Sequence, residues 1–346
     1  MTKINLKALT DEQLDSFVAA YGLSPYRAKQ IRHWIYSKGA VTLSEITELP
    51  LAVRQSLSEH CYISALNLVD RQQSVDQSEK FLFALEDGET VESVLIPEQS
   101  RCTLCISSQV GCAMGCRFCL TGKMGFKRNL LFFEIVDQAL AVQKIAWKSH
   151  SVTNIVFMGM GEPFMNMDEI KKALTCLLNN MNFSKRKITV STSGVVPGIY
   201  ELSNSRLGVN LAVSLNATTD KIRDAIMPVN RKYPLASLLE ACRAFRLPPN
   251  RRIAFEYVLI KDINDTEEDA ERLWRLLNGI RSKVNLIPFN PFSGTAFERP
   301  SDERVAEFQE HLAQKGITVM VRKSRGADIL AACGQLRGKA MYSLPV

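Results

Sequence analysis

The sequence predicts an α/β protein: a partial barrel of six β/α units, preceded by a helical N-terminal region and a β-hairpin. Three observations lead to this fold class. From about residue 100 onward, short β-rich apolar runs alternate with amphipathic stretches, which is typical of a parallel sheet covered by helices. Six such units are too few for a closed eight-stranded barrel. Ahead of them lie a helical stretch of about 60 residues and two β-rich runs around an Asp87–Gly88 turn.

The N-terminal region, residues 1–65, is predicted to be a helical accessory domain that contacts the substrate. Thr10 and Gln13 have the spacing of a capping box, and the apolar residues that follow recur with helical periodicity. Ser24 and Pro25 have the N-cap and first-turn pattern of a second helix. The remaining predicted parts are a β-hairpin or linker over 66–100, the barrel over 101–326 and a C-terminal segment over 327–346.

The predicted barrel strands end in polar or glycine-containing segments. GMGEP (Gly159–Pro163) closes the second strand, STSG and SLN close the next two, and IPFNP closes the sixth. GMGEP taken alone is equally typical of a simple turn. In barrels of β/α units, however, functional side chains lie at the C-terminal ends of the strands. Polar residues at four such ends therefore predict one common site.

The composition is that of an ordinary globular chain: 46% of its 346 residues are hydrophobic and 23% are charged. No apolar run approaches the ~20 residues of a membrane span, and the N-terminus lacks the apolar core of a secretory signal. We therefore expect a cytoplasmic protein with no membrane partner. The net charge of +7 is compatible with a nucleic-acid partner. The basic runs Lys185–Lys187 and Arg322–Arg325 are equally compatible with solvated charges and with RNA phosphate contacts.

The nine cysteines are unevenly distributed, which favours metal or redox chemistry over a disulfide framework. Cys112, Cys116 and Cys119 form a C-x3-C-x2-C array, in which Gly111 and Gly115 ease bending of the backbone around a bulky ligand. A structural zinc site normally has four ligands, supplied by a second cysteine pair or by histidines. Cys102 and Cys105 lie nearby, but residues three apart on a strand face opposite sides, so we do not expect them to act as such a pair. Three cysteines leave one iron of a [4Fe–4S] cluster without a protein ligand, open to a substrate or cofactor.

This cysteine spacing, with Phe118 before the third cysteine, resembles the radical S-adenosylmethionine (SAM) superfamily. Together with FMGMGEP, STSGVVP, NLIPFNPF and AACGQL, it makes nearly the whole chain resemble the RlmN/Cfr family of radical SAM RNA adenine methyltransferases. The N-terminal helices and the IPE segment resemble the RlmN branch more closely. The resemblance implies a barrel of radical SAM type, a [4Fe–4S] cluster, SAM, an RNA substrate, a flavodoxin-type electron donor and a monomer.

The resemblance also implies a ping-pong reaction, because C2 and C8 of adenine are poor nucleophiles. A cysteine thiolate takes a methyl group from one SAM, and a radical from a second SAM removes hydrogen from that S-methyl group. The resulting carbon radical adds to adenine, and a second cysteine resolves the protein–RNA adduct by forming a disulfide with the first. C2 is the expected target rather than C8, with 23S rRNA as the expected substrate and tRNA as a second.

Residue roles follow from the same resemblance. Cys333 matches the methyl carrier, Cys105 the resolving cysteine and Glu92 the proton acceptor. Asn216 stands where the family usually has histidine, and asparagine keeps a hydrogen bond but cannot be charged. The implied cluster ligands are Cys112, Cys116 and Cys119, and the implied SAM contacts are Gly161, Glu162, Ser191, Ser214, Leu215, Asn216 and Asn290.

Cys333 taken alone is more typical of a buried core thiol, since it has small neighbours and no cysteine near it in sequence. Two other functions also remain open: a radical SAM enzyme that acts on RNA without a methyl carrier, and a non-enzymatic iron–sulfur RNA-binding protein. The methyl-carrier hypothesis makes a geometric prediction. Cys333 should lie within reach of the cysteine array and Glu162, with Cys105 nearby.

Overall fold

The structure, a computed structural model, describes residues 3–146 and 151–338, so residues 1–2 and 339–346 of the predicted terminal segments lie outside it. In the N-terminal region the predicted capping box is present. Thr10 Oγ1 accepts a hydrogen bond from the Gln13 N–H, and Gln13 Oε1 accepts one from the Thr10 N–H. The elements are β1 (Ile4–Asn5), α1 (Asp11–Ala20), α2 (Pro25–Tyr36), α3 (Leu51–His60) and β2 (Cys61–Tyr62).

Three antiparallel strands, rather than a two-stranded hairpin, precede the barrel. The predicted hairpin around Asp87–Gly88 forms its second and third strands. The third strand also pairs with the first barrel strand, so this meander extends the barrel sheet. The first strand is difficult to detect in the sequence because most of its residues are exposed and polar. The three strands are β3 (Asn67–Gln73), β4 (Glu79–Ala84) and β5 (Thr90–Glu98).

The barrel follows the predicted alternation of strands and helices. Its strands are all parallel and are interrupted only by a small hairpin that frames the cysteine array. In chain order the elements are β6 (Arg101–Cys105), β7 (Gln109–Gly111), α4 (Leu120–Lys123), β8 (Phe126–Asn129), α5 (Phe132–Ala146), β9 (Asn154–Phe157), α6 (Met167–Asn179), β10 (Ile188–Thr192), α7 (Val196–Asn204), β11 (Asn210–Ser214), α8 (Asp220–Ile226), α9 (Leu235–Ala244), β12 (Ile253–Leu259), α10 (Glu267–Leu277), β13 (Ser282–Pro288), α11 (Asp302–Gln314) and β14 (Val319–Val321).

Within the described residues, ten strands form one sheet in the order β14-β13-β12-β11-β10-β9-β6-β5-β4-β3. Strands β14 and β3 are its edges, so the barrel is open, as the sequence predicts. The central parallel strands are largely buried on both faces, because helices cover one face and the barrel interior lies on the other. Cys242, which lies in an apolar stripe of α9, is buried in this core. No helix in the described part of the chain is long and apolar enough to cross a membrane.

A buried ion pair attaches the N-terminal region to the barrel. Lys7 Nζ lies 2.6 Å from Asp137 Oδ1 on α5, and both side chains are almost fully buried. Ser64 Oγ donates a second hydrogen bond to the same carboxylate. Removing one partner of such a pair leaves an uncompensated buried charge, which is strongly destabilising.

Asp137→Ala is therefore expected to lower the free energy of unfolding by about 3–5 kcal/mol, because Lys7 would remain buried without its partner. Urea unfolding followed by circular dichroism measures this change. Asp168→Ala is the matched control, since Asp168 pairs with Lys171 at 3.3 Å but is 87% exposed. The control is expected to change the stability by less than about 1 kcal/mol. Equal effects of the two variants would contradict the proposed role of the buried pair.

Candidate active site

The cysteine array occupies the loop between β7 and β8, at the C-terminal end of the barrel. Backbone hydrogen bonds shape this loop: Cys112 N–H donates to Gly125 O at 2.9 Å, and Cys119 N–H donates to Cys116 O at 3.1 Å. Cys116, with its neighbours Phe118 and Leu120, packs against a small apolar cluster formed beyond β11, β12 and β13. The array is therefore held in place by residues distant in sequence.

The number and type of the three side chains suit a [4Fe–4S] cluster, which would keep one iron without a protein ligand. No three His, Cys, Asp or Glu side chains among residues 3–146 and 151–338 lie close enough together to hold one metal ion. A [4Fe–4S] cluster places its cysteine ligands on different irons, so the thiols need not converge on one point. Burial raises the pKa of Cys112 to about 12 and also raises those of Cys116 and Cys119. Ligand thiols must lose their protons on binding, so iron would have to offset this cost.

Glu162 lies at the end of β9, where the sequence predicts the SAM site, and it is 3% exposed. Its carboxylate accepts hydrogen bonds from the backbone N–H of Ser193 at 2.6 Å and of Phe164 at 3.1 Å. Burial raises the pKa of this carboxyl group, and these hydrogen bonds oppose the rise. Gln109, which the sequence did not single out, accepts a hydrogen bond from the Glu162 N–H at 2.8 Å.

Gly161 allows this arrangement because it has a φ of +100°, which L side chains rarely adopt. A Cβ atom at this position would lie 2.6 Å from the Gln109 Cβ. Gly161→Ala must therefore displace the side chain that orients Glu162. We expect the free energy of unfolding to fall by about 1–3 kcal/mol because of overpacking, and by about 1 kcal/mol more because of backbone strain.

Gly279→Ala is the control for this prediction, because Gly279 has a φ of +79° but no neighbouring atom within 4 Å of the point that a Cβ atom would occupy. It should show the backbone strain alone, and urea unfolding of both variants separates the two contributions. A loss no larger in Gly161→Ala than in Gly279→Ala would contradict the close approach to Gln109.

Arg223 on α8 is a central residue of the site that the sequence did not reveal. It is fully buried, and burial lowers its pKa to about 10, so it remains charged at neutral pH. Its guanidinium donates to the backbone carbonyls that end β10 and β11, and to one side-chain amide. The acceptors are Leu215 O at 2.9 Å, Ser193 O at 2.6 Å, Ser214 O at 3.2 Å and Asn230 Oδ1 at 2.9 Å.

Asn216 is buried, with a φ of +57° in the left-handed region that asparagine tolerates better than most residues. Its Oδ1 accepts a hydrogen bond from the Val258 N–H at 2.8 Å, and its Nδ2 lies 3.2 Å from the Met227 sulfur. Both ends of the amide are therefore already in contact with protein. The asparagine that replaces the usual histidine joins β11 to β12 in this conformation.

The C-terminal segment, residues 324–338, crosses the mouth of the open barrel. Leu120 N–H donates to Gly334 O at 2.6 Å, and Thr121 Oγ1 donates to Leu336 O at 2.6 Å. Asn290 Nδ2 donates to the carbonyl of Cys333 at 3.3 Å. The segment thus touches both the cysteine loop and the end of β13, and the Cys333 side chain is exposed to solvent within this setting.

Cys105 ends β6 and is buried. Burial and the nearby Cys333 thiol raise its pKa. Although Cys333 is accessible to solvent, the protein around the barrel mouth partly desolvates its thiol; this desolvation, followed by the charge of Glu256, raises the pKa of Cys333 to about 11, and Cys119 also contributes. Cys333 thus lies next to Gly334, which is hydrogen-bonded to the cysteine loop at Leu120, and near enough to Cys105 to influence the pKa of that thiol. All nine cysteines lie in the described part of the chain, and all are free thiols there.

Glu92 on β5 is 2% exposed and contacts the same C-terminal segment. Its Oε2 accepts a hydrogen bond from the Arg337 N–H at 2.7 Å. Lys80 on β4, which the sequence did not single out, lies 3.5 Å from Glu92 Oε1 and 3.5 Å from the carbonyl of Leu330. A lysine at the start of a strand has no local feature that would reveal this buried pairing.

Two family models match the chain: the radical SAM superfamily over residues 106–273, and the ribosomal RNA large subunit methyltransferase N-terminal domain over residues 4–63. The chain is 53% identical over 340 residues to a dual-specificity RNA methyltransferase RlmN of Geobacter sulfurreducens, covering 98% of this chain and 93% of the relative. It is 50% identical to the protein of the same name from Geotalea uraniireducens, covering 98% of each.

A solved structure of a radical SAM methyltransferase from Sphaerobacter thermophilus is similar over almost the entire length. The two chains share 45% identity and superpose with a TM-score of 0.93, which covers 97% of this chain and 100% of that one. The similarity includes the N-terminal region, the cysteine array and the barrel. The chain therefore belongs to the RlmN family of radical SAM RNA methyltransferases.

Proposed function

We propose that the protein methylates an adenine carbon of RNA, C2 rather than C8, through an S-methylcysteine at Cys333. One observation carries the proposal: the Cys333 thiol is exposed in a segment that is hydrogen-bonded to the cysteine loop. Cys333 is close enough to Cys105 to raise the pKa of the Cys105 thiol, which supports the role of Cys105 as the resolving cysteine. Glu92, the proposed proton acceptor, is hydrogen-bonded to the same segment.

Cys112, Cys116 and Cys119 would hold the [4Fe–4S] cluster. When bound, the cluster and SAM supply a 5′-deoxyadenosyl radical. The remaining tasks fall to this chain: Cys333 must lose its proton to become a nucleophile, and Glu92 must accept a proton. The proposed SAM contacts are Gly161, Glu162, Ser191, Ser214, Leu215, Asn216 and Asn290.

We propose 23S rRNA and tRNA as the two substrates. The relatives carry the name dual-specificity RNA methyltransferase, which supports more than one RNA substrate. The match of residues 4–63 to a ribosomal RNA methyltransferase N-terminal domain supports the ribosomal substrate. We further propose that the protein acts as a monomer and receives electrons from a flavodoxin-type donor.

Mass spectrometry of the Cys333 peptide tests the proposal. The protein is reconstituted with iron and sulfide under anaerobic conditions and treated with SAM and a reductant in the absence of RNA. One methyl group is expected on Cys333, and the methyl group should be lost when a 23S rRNA fragment is added. Mapping of the modified adenosines then distinguishes C2 from C8. An unmodified Cys333 peptide together with methylated RNA would contradict the carrier mechanism.

A further inference from the structure

A row of three polar side chains crosses the interior face of the barrel: Ser214 on β11, Glu256 on β12 and Asn285 on β13. In the parallel register, Ser214 lies opposite Glu256, and Glu256 lies opposite Asn285. Residues in register on neighbouring strands point to the same face of a sheet. The alternate residues, such as Phe255 and Leu286, belong to the main apolar core. Ser214 is a proposed SAM contact, whereas Glu256 and Asn285 have no assigned role.

Two acceptor oxygens of this row have no hydrogen-bond partner. Asn285 Nδ2 donates to Glu256 Oε1 at 2.7 Å, which leaves the other amide atom, Oδ1, as the free one. Asn285 is 1% exposed, and its Oδ1 is buried without a partner among the described residues. In the same part of the chain, no hydrogen bond reaches Glu256 Oε2. Of these two oxygens, Asn285 Oδ1 is the buried one, and a buried acceptor without a donor is unfavourable and rare, so the row indicates a ligand that brings N–H or O–H groups.

The strand that carries Asn285 leads to the reactive thiol: Asn290, two residues beyond β13, donates from Nδ2 to the carbonyl of Cys333 at 3.3 Å. Burial raises the pKa of Glu256, and the cations of Arg322 and Lys283 oppose that rise. The charge of Glu256 in turn adds to the partial desolvation of the Cys333 thiol in raising its pKa. The two side chains therefore share one electrostatic environment at the barrel mouth.

We propose that Glu256 and Asn285 form an acceptor site for the exocyclic amine of an adenine ring, an inference that rests on the proposed function. An adenine amine carries two N–H donors, which matches the two free acceptor oxygens. Both the target base and SAM contain adenine. The position beside Cys333 favours the target base, because a methyl group on Cys333 must reach that ring.

The RNA test compares two 23S rRNA fragments, one with adenosine and one with purine riboside, which lacks the amine, at the modified position. Wild-type protein is expected to use the adenosine RNA with a kcat/KM at least about tenfold higher. The ratio of kcat/KM for the adenosine fragment to kcat/KM for the purine riboside fragment should be at least about threefold lower in Glu256→Gln and in Asn285→Ala than in the wild-type protein. Because the missing amine has the same electronic effect in every enzyme, the change in the ratio isolates the contact.

The SAM test measures methylation of Cys333 without RNA over a range of SAM concentrations. If the site holds the adenine of SAM, the two variants should raise the KM for SAM at least about tenfold and leave the RNA ratio unchanged. Glu79→Gln is the matched control: Glu79 is a buried carboxylate on β4 that pairs with Arg71 at 2.6 Å, outside the proposed row. It should alter neither measurement.

The outcomes separate the site from the function on which it rests. Wild-type protein that methylates neither RNA nor Cys333 would contradict the proposed function itself. Wild-type protein that methylates both RNA fragments equally well, with a KM for SAM unchanged in the variants, would overturn the acceptor site alone. Equal use of the two fragments by wild-type protein would by itself overturn a contact with the target base, so a variant that fails to fold does not prevent that outcome.

Discussion

Cys333→Ala is expected to lower RNA methylation at least about 10³-fold, because the proposed route passes through a covalent intermediate on this sulfur. The side chain is exposed while the backbone of its segment is fixed by Leu120 and Asn290. Alanine at this position should therefore remove the nucleophile without releasing the segment. Cleavage of SAM to 5′-deoxyadenosine should persist, since it depends on the cysteine array and not on Cys333. Both products are measured in the same anaerobic reaction.

Cys61→Ala is the control, since Cys61 is a buried cysteine of β2 in the N-terminal region. It should retain RNA methylation at close to the wild-type rate. Retained methylation in Cys333→Ala would instead favour a radical SAM enzyme that modifies RNA without a methyl carrier. If neither protein forms 5′-deoxyadenosine, the radical chemistry itself would be contradicted.

Arg223→Met is expected to lower the free energy of unfolding by at least about 3 kcal/mol, because several buried acceptors would lose their donor together. Methionine fills a similar volume but cannot donate to the carbonyls of Leu215, Ser193 and Ser214. These carbonyls lie where β10 and β11 end, so the proposed SAM site should loosen as well. Arg223→Lys should recover only part of the loss, because one ammonium group cannot reproduce the geometry of the guanidinium.

Urea unfolding and equilibrium dialysis of SAM measure the two effects. Arg275→Met is the control, since Arg275 pairs with Glu271 at 3.0 Å but is 70% exposed. It should change the stability by less than about 1 kcal/mol. An Arg223→Met protein as stable as the control would show that the buried carbonyls find other donors.

The barrel and the cysteine array could be predicted because both depend on local patterns. Strand and helix periodicity is expressed within each element, and the spacing of Cys112, Cys116 and Cys119 is contained in one loop. Because the three cysteines lie within eight residues of each other, they are in one part of the fold whatever the structure of the rest of the chain. Similarly, the capping box at Thr10 acts within a single helical turn and is present as predicted.

Strand β3 and the partners of the active-site residues could not be predicted in this way. β3 lies at the edge of the sheet, where exposed polar residues hide the alternation of a strand. Lys80 and Arg223 look like ordinary charged residues of a strand and a helix. Lys80 pairs with Glu92, and Arg223 donates to carbonyls at the strand ends. Both pairings are buried, and both join positions that only the folded chain brings together.

Cys333 shows most clearly which properties the sequence predicts and which depend on the tertiary structure. The motif around Cys333 and the cysteine array were sufficient to connect this chain with radical SAM RNA methyltransferases, because each is a short continuous segment in which residue types and spacings can be read directly. Whether its thiol is buried or exposed, and whether Cys105 and Glu256 lie beside it, depended on the tertiary structure. The physical reason is that accessibility, electrostatic coupling and unsatisfied acceptors arise from residues far apart in sequence, and these properties exist only after the sheet has formed.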